Sequence, residues 1–322
     1  MQANRLYVVA ALALTWFSGI GAAAQTYPTR PVRLLVPFVA GGSSDTIARV
    51  LGQPLTAMWG QQIVVDNRPG AGTIIGTEIA AKAPADGHTL ITENIAFAIN
   101  HGLRRNLPYD TFRDFAPIIM LARQPSAIVA PPNFPANSLK DLIALAKSKP
   151  GVTSYGSSGI GTIGHLAGEL LKMMAGIKLT HVAYKGGGQL VTEVLGNQIP
   201  LGIMGLPPAM PHIKAGRLKA IALTDGKRAA ALPDLPTVGE TVPGFEVNNW
   251  IGLVAPAGTP VPVITKINAD TLRVLQMPDV RNRLSALGFE IQGSSPREFE
   301  TLVRADAEKF QRIIKDAGIK AN

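Results

Sequence analysis

Two glycine–serine turns hold the residues best suited to chemistry. The first is Val36-Pro37-Phe38-Val39-Ala40-Gly41-Gly42-Ser43-Ser44-Asp45, and the second is Gly156-Ser157-Ser158-Gly159-Ile160-Gly161-Thr162. Each follows a β-prone run and precedes a helical pattern. Such a turn aims backbone N–H groups and the positive end of a helix at one point, which suits a carboxylate or a phosphate. Gly41 and Gly42 let the backbone bend and approach closely, and the serine and threonine hydroxyls add donors. Two such turns facing each other could hold two carboxylates, or one between them, with no general base. Many α/β proteins carry such a turn and bind nothing there.

Catalytic readings of the same residues are weaker. Gly159-Ile160-Gly161-Thr162-Ile163-Gly164 matches the dinucleotide pattern G-x-G-x-x-G, but the acidic residue expected about 20 positions on is missing from Val182-Ala183-Tyr184-Lys185. Gly156-Ser157-Ser158-Gly159-Ile160 fails the last position of a nucleophile elbow. A hydrolase built on Ser158 and His165 stays as an alternative. His165 and Glu169 share a helix face without a third metal ligand. His88, His101, His181 and His212 are scattered and read as structural or exposed. No metal and no cofactor are expected.

The elements that position these turns form two series. In the first, Val32–Val36, Ile63–Asp66 and Thr89–Thr92 read as strands, with helices after Ser44 and around Ile75–Ala80. Strand–helix alternation means parallel βαβ units, whose ligands sit at the carboxyl ends of the strands. The loops Phe38–Asp45, Asn67–Thr73 and Glu93–Phe97 then share one edge, so Glu93 or Asn94 should face a ligand. Ile118 to Val129, broken only at Ala122–Ser126, reads as a strand pair entering a second domain. The second series has strands at Thr153–Tyr155, Leu179–Tyr184, Ile199–Met204 and Leu218–Leu223, and helices at His165–Met174 and Leu190–Leu195. Ser138 caps a further helix, with Asp141 three residues on. Trp250–Val254 crosses back, with Trp250 in the core or hinge. Ser295-Pro296-Arg297-Glu298 opens a last helix as a capping box. The expected fold is α/β: two lobes, 25–122 with 251–322 and 123–250, joined by two crossing strands as a hinge.

Composition narrows the class. Arg5, the interrupted apolar stretch from Leu6 to Ile20, and Ala22-Ala23-Ala24 read as a cleaved signal peptide over residues 1–24. The remainder is long enough for about two domains at ~150 residues each. With no cysteine there are no disulfides and no thiol chemistry. The net charge of +9 is spread along the chain without a basic run interleaved with aromatics, so nucleic acid is not an expected partner. A diffuse positive field can steer anions inward.

The sequence resembles the Bug-type (TctC-like) substrate-binding proteins of tripartite tricarboxylate transporters. The resemblance is carried by Tyr27-Pro28-Thr29-Arg30-Pro31, Val36-Pro37-Phe38 with Gly41-Gly42 and Asp45, and Asn67-Arg68-Pro69-Gly70-Ala71-Gly72. It continues through Asp86-Gly87, Leu107-Pro108-Tyr109-Asp110, His165-Leu166-Ala167-Gly168-Glu169, His181-Val182 with Tyr184-Lys185-Gly186, and Pro256-Ala257-Gly258-Thr259-Pro260. It covers essentially the whole chain after the signal segment. It implies a periplasmic two-lobe binding protein of the type II, Venus-flytrap kind. Such a protein closes on a small carboxylate and delivers it to integral-membrane transporter subunits, and is expected to act as a monomer. The site residues it implies are Phe38, Gly41, Ser43, Ser44 and Asp45 from the first lobe, and Ser157, Gly161, Thr162, His165, Tyr184 and Lys185 from the second.

Departures from the family pattern add expectations. A glycine is usual where Thr73 stands, and an acidic or amide residue often ends the strand that here reads Ile203-Met204-Gly205. Asn94, at the end of its cleft-side strand, and Met204 join the expected ligand residues, and Met204 with Gly205 suggests a roomier or more apolar pocket, which points to an acid with an apolar or aromatic body. The expected function is carboxylate binding without catalysis. The alternatives are a periplasmic sensor receptor and the Ser158–His165 hydrolase.

Overall fold

The computed structural model describes residues 27–316, 318 and 319. The expected signal peptide lies outside the described residues. In chain order, β1 (Val32–Val36) leads through the first glycine turn into α1 (Ser43–Trp59), then β2 (Ile63–Asn67), α2 (Ile74–Ala81), β3 (Thr89–Asn94) and α3 (Ala96–Leu103). β4 (Phe115–Arg123) and β5 (Ser126–Ala130) follow almost without a break, and then α4 (Leu139–Ser148), β6 (Ser154–Ser157), α5 (Ile163–Ala175) and β7 (Thr180–Ala183). Next come α6 (Gly187–Leu195), β8 (Leu201–Gly205), α7 (Leu206–Lys214) and β9 (Lys219–Leu223). The chain ends with β10 (Trp250–Pro256), α8 (Val261–Gln276), α9 (Pro278–Ala286), β11 (Glu290–Ile291) and α10 (Pro296–Asp316).

The strands form two sheets. One runs β11-β4-β10-β3-β1-β2 and the other β7-β6-β8-β5-β9. β1, β2 and β3 are parallel, as are β6, β7 and β8, so each set ends on one edge. β10 pairs antiparallel with both β3 and β4, which sews the returning chain into the first sheet. The break between β4 and β5 is narrower than the sequence suggests. Only Gln124-Pro125 separates them, because proline lacks the N–H a continuing ladder needs.

Local chemistry accounts for most element ends. α1 buries Ile47, Leu51, Leu55 and Trp59 at four-residue spacing and stops at Gly60, whose φ is 65°. The Ser138 hydroxyl accepts from the Asp141 amide, and the Asp141 carboxylate accepts from the Ser138 amide. The same reciprocal box, Ser295 with Glu298, starts α10. Phe299, Val303, Ala307, Phe310 and Ile314 form the buried stripe of α10, which packs along α3 and β4. Trp250 lies in the core where the chain re-enters the first sheet. Its indole N–H donates to Asp306 at 2.8 Å and its ring meets Phe299 edge-on at 5.0 Å. Sequence periodicity did not assign α3, α9 or β11; all are short.

Candidate functional site

The loops after β1, β2 and β3 face those after β6, β7 and β8, and the two groups touch. A Cβ on Gly41 or Gly42 would stand 3.8–3.9 Å from Gly187 or Gly188, one on Gly186 would crowd Val39, and one on Gly72 would overlap the Ile160 carbonyl. Gly161 meets the Asn100 side-chain oxygen. The structure is therefore a closed clamp.

An inner pocket of about 30 Å³ sits in the seam, lined among others by Phe38, Ser43, Ser44, Asn94, Ser158 and Thr162. Four helices begin at its wall. α1, α5, α6 and α7 have N-caps Gly42, Thr162, Gly186 and Gly205, and no cap side chain bonds back to its helix. The first N–H groups of a helix have no partner inside it. In α7 these donors are absent or spent: Leu206 donates to the Pro125 carbonyl, and Pro207 and Pro208 have no N–H. α1 from the first lobe and α5 and α6 from the second keep theirs. Each contributes roughly half a positive charge at its end. No acidic side chain lines the pocket. A small anion there meets donors from both lobes.

An outer cavity of about 320 Å³ adjoins it and shares Phe38 and Ser158. Its walls are Phe38, Ile160 and Tyr184, the backbone of 70–72, and two cations, Arg104 and Lys185. The 70–73 loop is strained: Ala71 has φ 49° and the β-branched Thr73 has φ 89°. This is where the sequence departs from the family's glycine. Asn100 holds the loop by donating to the Gly72 carbonyl at 2.9 Å and to the Thr73 hydroxyl at 3.3 Å. The Thr77 hydroxyl donates to the Thr73 carbonyl at 3.0 Å.

Of the expected site residues, Phe38, Ser43, Ser44, Asn94 and Thr162 line the inner pocket, and Phe38, Tyr184 and Lys185 line the outer cavity. Ser43 accepts from Gln124 at 2.6 Å, and Thr162 donates to the Gly159 carbonyl at 2.7 Å. Burial and the neighbouring Glu193 raise the Tyr184 hydroxyl.

Six others stand behind the walls. Asp45 is 4% exposed and accepts from the Gly41 amide, Arg49 and Asn67. Burial would raise its carboxyl, but those hydrogen bonds outweigh burial and hold it below the usual range. The Gly41 N–H is thereby used, so Gly41 shapes the turn and has no amide left for a ligand. Ser157 is fully buried, its hydroxyl 2.7 Å from His181 Nε2; strand alternation turns its neighbour Ser158 outward instead. Gly161 donates to His165 Nδ1 at 3.3 Å, which fixes His165 behind the loop, its ring centroid 4.5 Å from that of His181 at a 34° tilt. Met204 is 1% exposed and packs in the second lobe's core, its methyl against Gly202. It therefore gives no ground for a more apolar pocket.

Glu93 faces away from the cleft. It is fully buried, with a carboxyl oxygen 2.8 Å from the Thr77 hydroxyl, and burial pushes it up to about 8. The Ser158–His165 pair does not assemble. The serine–histidine contact that forms, Ser157 with His181, is closed to a substrate at the serine, and burial with the neighbouring His165 pushes His181 down to about 4. Among the described residues no group of three acidic or histidine side chains is placed to hold a metal, and no helix is long and apolar enough to cross a membrane.

Sequence reasoning missed Arg104, Gln124 and Ile160. Arg104 gave no signal, because one arginine after an unassigned helix looks like any surface arginine. Ile160 and Gln124 reach the site only through lobe closure and the crossing.

The family model described as "Tripartite tricarboxylate transporter family receptor" matches residues 47–319. The chain is 32% identical to Protein BugT of Bordetella pertussis, over 99% of each. It is similar to two solved structures. One is R. palustris Rpa4515 with adipate, at 36% identity and TM-score 0.88, covering 91% of this chain and 99% of that one. The other is MatC (Rpa3494) from Rhodopseudomonas palustris with bound malate, at 30% identity and TM-score 0.85, covering 89% and 100%.

Proposed function

The chain belongs to the tripartite tricarboxylate transporter receptor family, and from that premise we propose that it captures a small carboxylate between its lobes and delivers it to the membrane subunits of such a transporter. Family and fold are those of periplasmic solute-binding proteins. In this reading the protein is exported, acts as a monomer, and does no chemistry on its ligand. The lobes hinge at Gln124-Pro125 and around Asn249, where the chain passes between the sheets.

One observation carries the reading. Free N–H groups at the starts of α1, α5 and α6 converge from both lobes on a pocket without an acidic side chain. A carboxylate there gains donors from the second lobe only when the clamp is shut, so binding favours the closed state. The bound adipate and malate of the two similar structures support an acid as the ligand class.

Thermal-shift screening of the protein against mono-, di- and tricarboxylates, aromatic acids, amino acids and amides tests this. A ligand that binds only the folded state raises the melting temperature by mass action. The expected result is a shift confined to acids, with compaction in solution scattering at saturation. Shifts with amides alone, or an unchanged radius of gyration at saturation, count against it.

A further inference from the structure

We propose that Arg104 reads a second anionic group on the ligand, and so makes the protein select dianionic acids over monoanionic ones. This rests on the carboxylate reading of the inner pocket and adds the far end of the ligand.

Arg104 caps the C-terminus of α3 and projects into the outer cavity's wall. Its Nη2 lies 3.9 Å from where a Cβ on Gly72 would stand. Its Nε is buried and has no partner. Among the described residues no carboxylate lies within ion-pair distance of its guanidinium. Other arginines contrast with it: Arg33 is held by Asp66, Arg49 by Asp45 and Arg228 by Glu240. A partly desolvated guanidinium with an unmet donor is costly until something accepts from it. Lys185, the other cation of the wall, is exposed and stays hydrated.

The ligand's shape follows. Phe38 and Ser158 wall both spaces, so an acid anchored in the inner pocket extends past them into the outer cavity. There its middle lies among Phe38, Ile160 and Tyr184, which suits a methylene chain. Its far end reaches Arg104, whose planar fork matches a carboxylate with two parallel hydrogen bonds. No acidic side chain lines the cavity to repel it.

Isothermal titration of succinate, glutarate, adipate and pimelate, each against the straight-chain monocarboxylate of the same length, tests the inference. The native protein should bind at least one diacid about ten- to hundredfold tighter than its monoacid, the range of a charge-assisted hydrogen bond. Arg104→Gln should erase that gap by weakening the diacid alone, and Arg104→Lys should keep part of it. Equal weakening of both acids by Arg104→Gln, or a gap that survives it, overturns the assignment. If Arg104→Gln does not fold, Arg104→Lys decides: an undiminished diacid preference overturns it. Monoacids bound as tightly as diacids by the native protein remove the role of Arg104 and leave the carboxylate reading intact. No binding by any acid removes both.

Discussion

Gly188, in the first turn of α6, lies so close to Ala40 across the cleft that a Cβ on it would stand 2.5 Å from the Ala40 carbonyl oxygen. Its backbone is helical, so alanine suits it in every respect except the neighbouring lobe. Gly188→Ala therefore separates closure from folding. Helix propensity stabilises the open form by up to about 1 kcal/mol, while the closed form acquires a clash with backbone. The unliganded melting temperature should hold or rise slightly. Affinity for any bound acid should fall by tenfold or more on titration calorimetry, roughly 1.4 kcal/mol or above. Unchanged affinity would show that the lobes do not meet in the bound state as they do here.

Ser44 is buried at the start of α1 and lines the inner pocket. Ser44→Ala removes one hydroxyl donor from the anchored carboxylate, worth roughly 1.5–3 kcal/mol as a hydrogen bond to a charged group. Mono- and dicarboxylates should weaken by the same factor, because the loss is at the end they share. A loss confined to diacids would place the anchor at the other end of the site.

Asn100 is fully buried and holds a loop in an unfavourable conformation. Asn100→Ala leaves the Gly72 carbonyl unpaired and the Thr73 hydroxyl without its Asn100 donor. Urea denaturation should show a loss of about 1–3 kcal/mol, and affinity should drop although Asn100 lines neither cavity. Full stability with weakened binding would make it a ligand contact instead.

Glu93 ties stability to pH. Its folded pKa of about 8 lies above its ordinary value of 4.5, with burial as the cause. Below about 4.5 both folded and unfolded forms hold the proton and the group costs nothing. As pH rises toward 8 the unfolded form ionises first, so stability falls across that window and levels off above it. Glu93→Gln keeps the Thr77 contact and removes the titration. It should flatten the decline in melting temperature between pH 5 and 8, gaining roughly a few kcal/mol at the alkaline end. A decline as steep as in the native protein would assign it to another group, such as Asp225, which burial pushes up to about 7.

The architecture is legible in local signals along the chain. Apolar runs followed by glycine turns and helical stripes mark βα units, and their repetition on both sides of Ile118–Val129 marks two sheets, because these signals depend on neighbours along the chain. Serine caps at Ser138 and Ser295 and proline at Pro125 are equally local. The turns that ring the pocket were legible for the same reason. Which atoms face the cleft follows from packing between distant segments. Ser157 and Ser158 are chemically alike, and strand alternation with the His181 contact sends one inward and the other to the ligand side. The same turn offers Gly41 and Gly42, and Asp45 folds back to consume the Gly41 amide. Met204 lies next to the end of a cleft-side strand yet packs into the core. Arg104 becomes a wall of the cavity because α3 packs beside the 70–73 loop and the second lobe closes over it. Side-chain direction and pairing depend on residues far away in sequence, and the free energy of a buried charge depends on what closes around it.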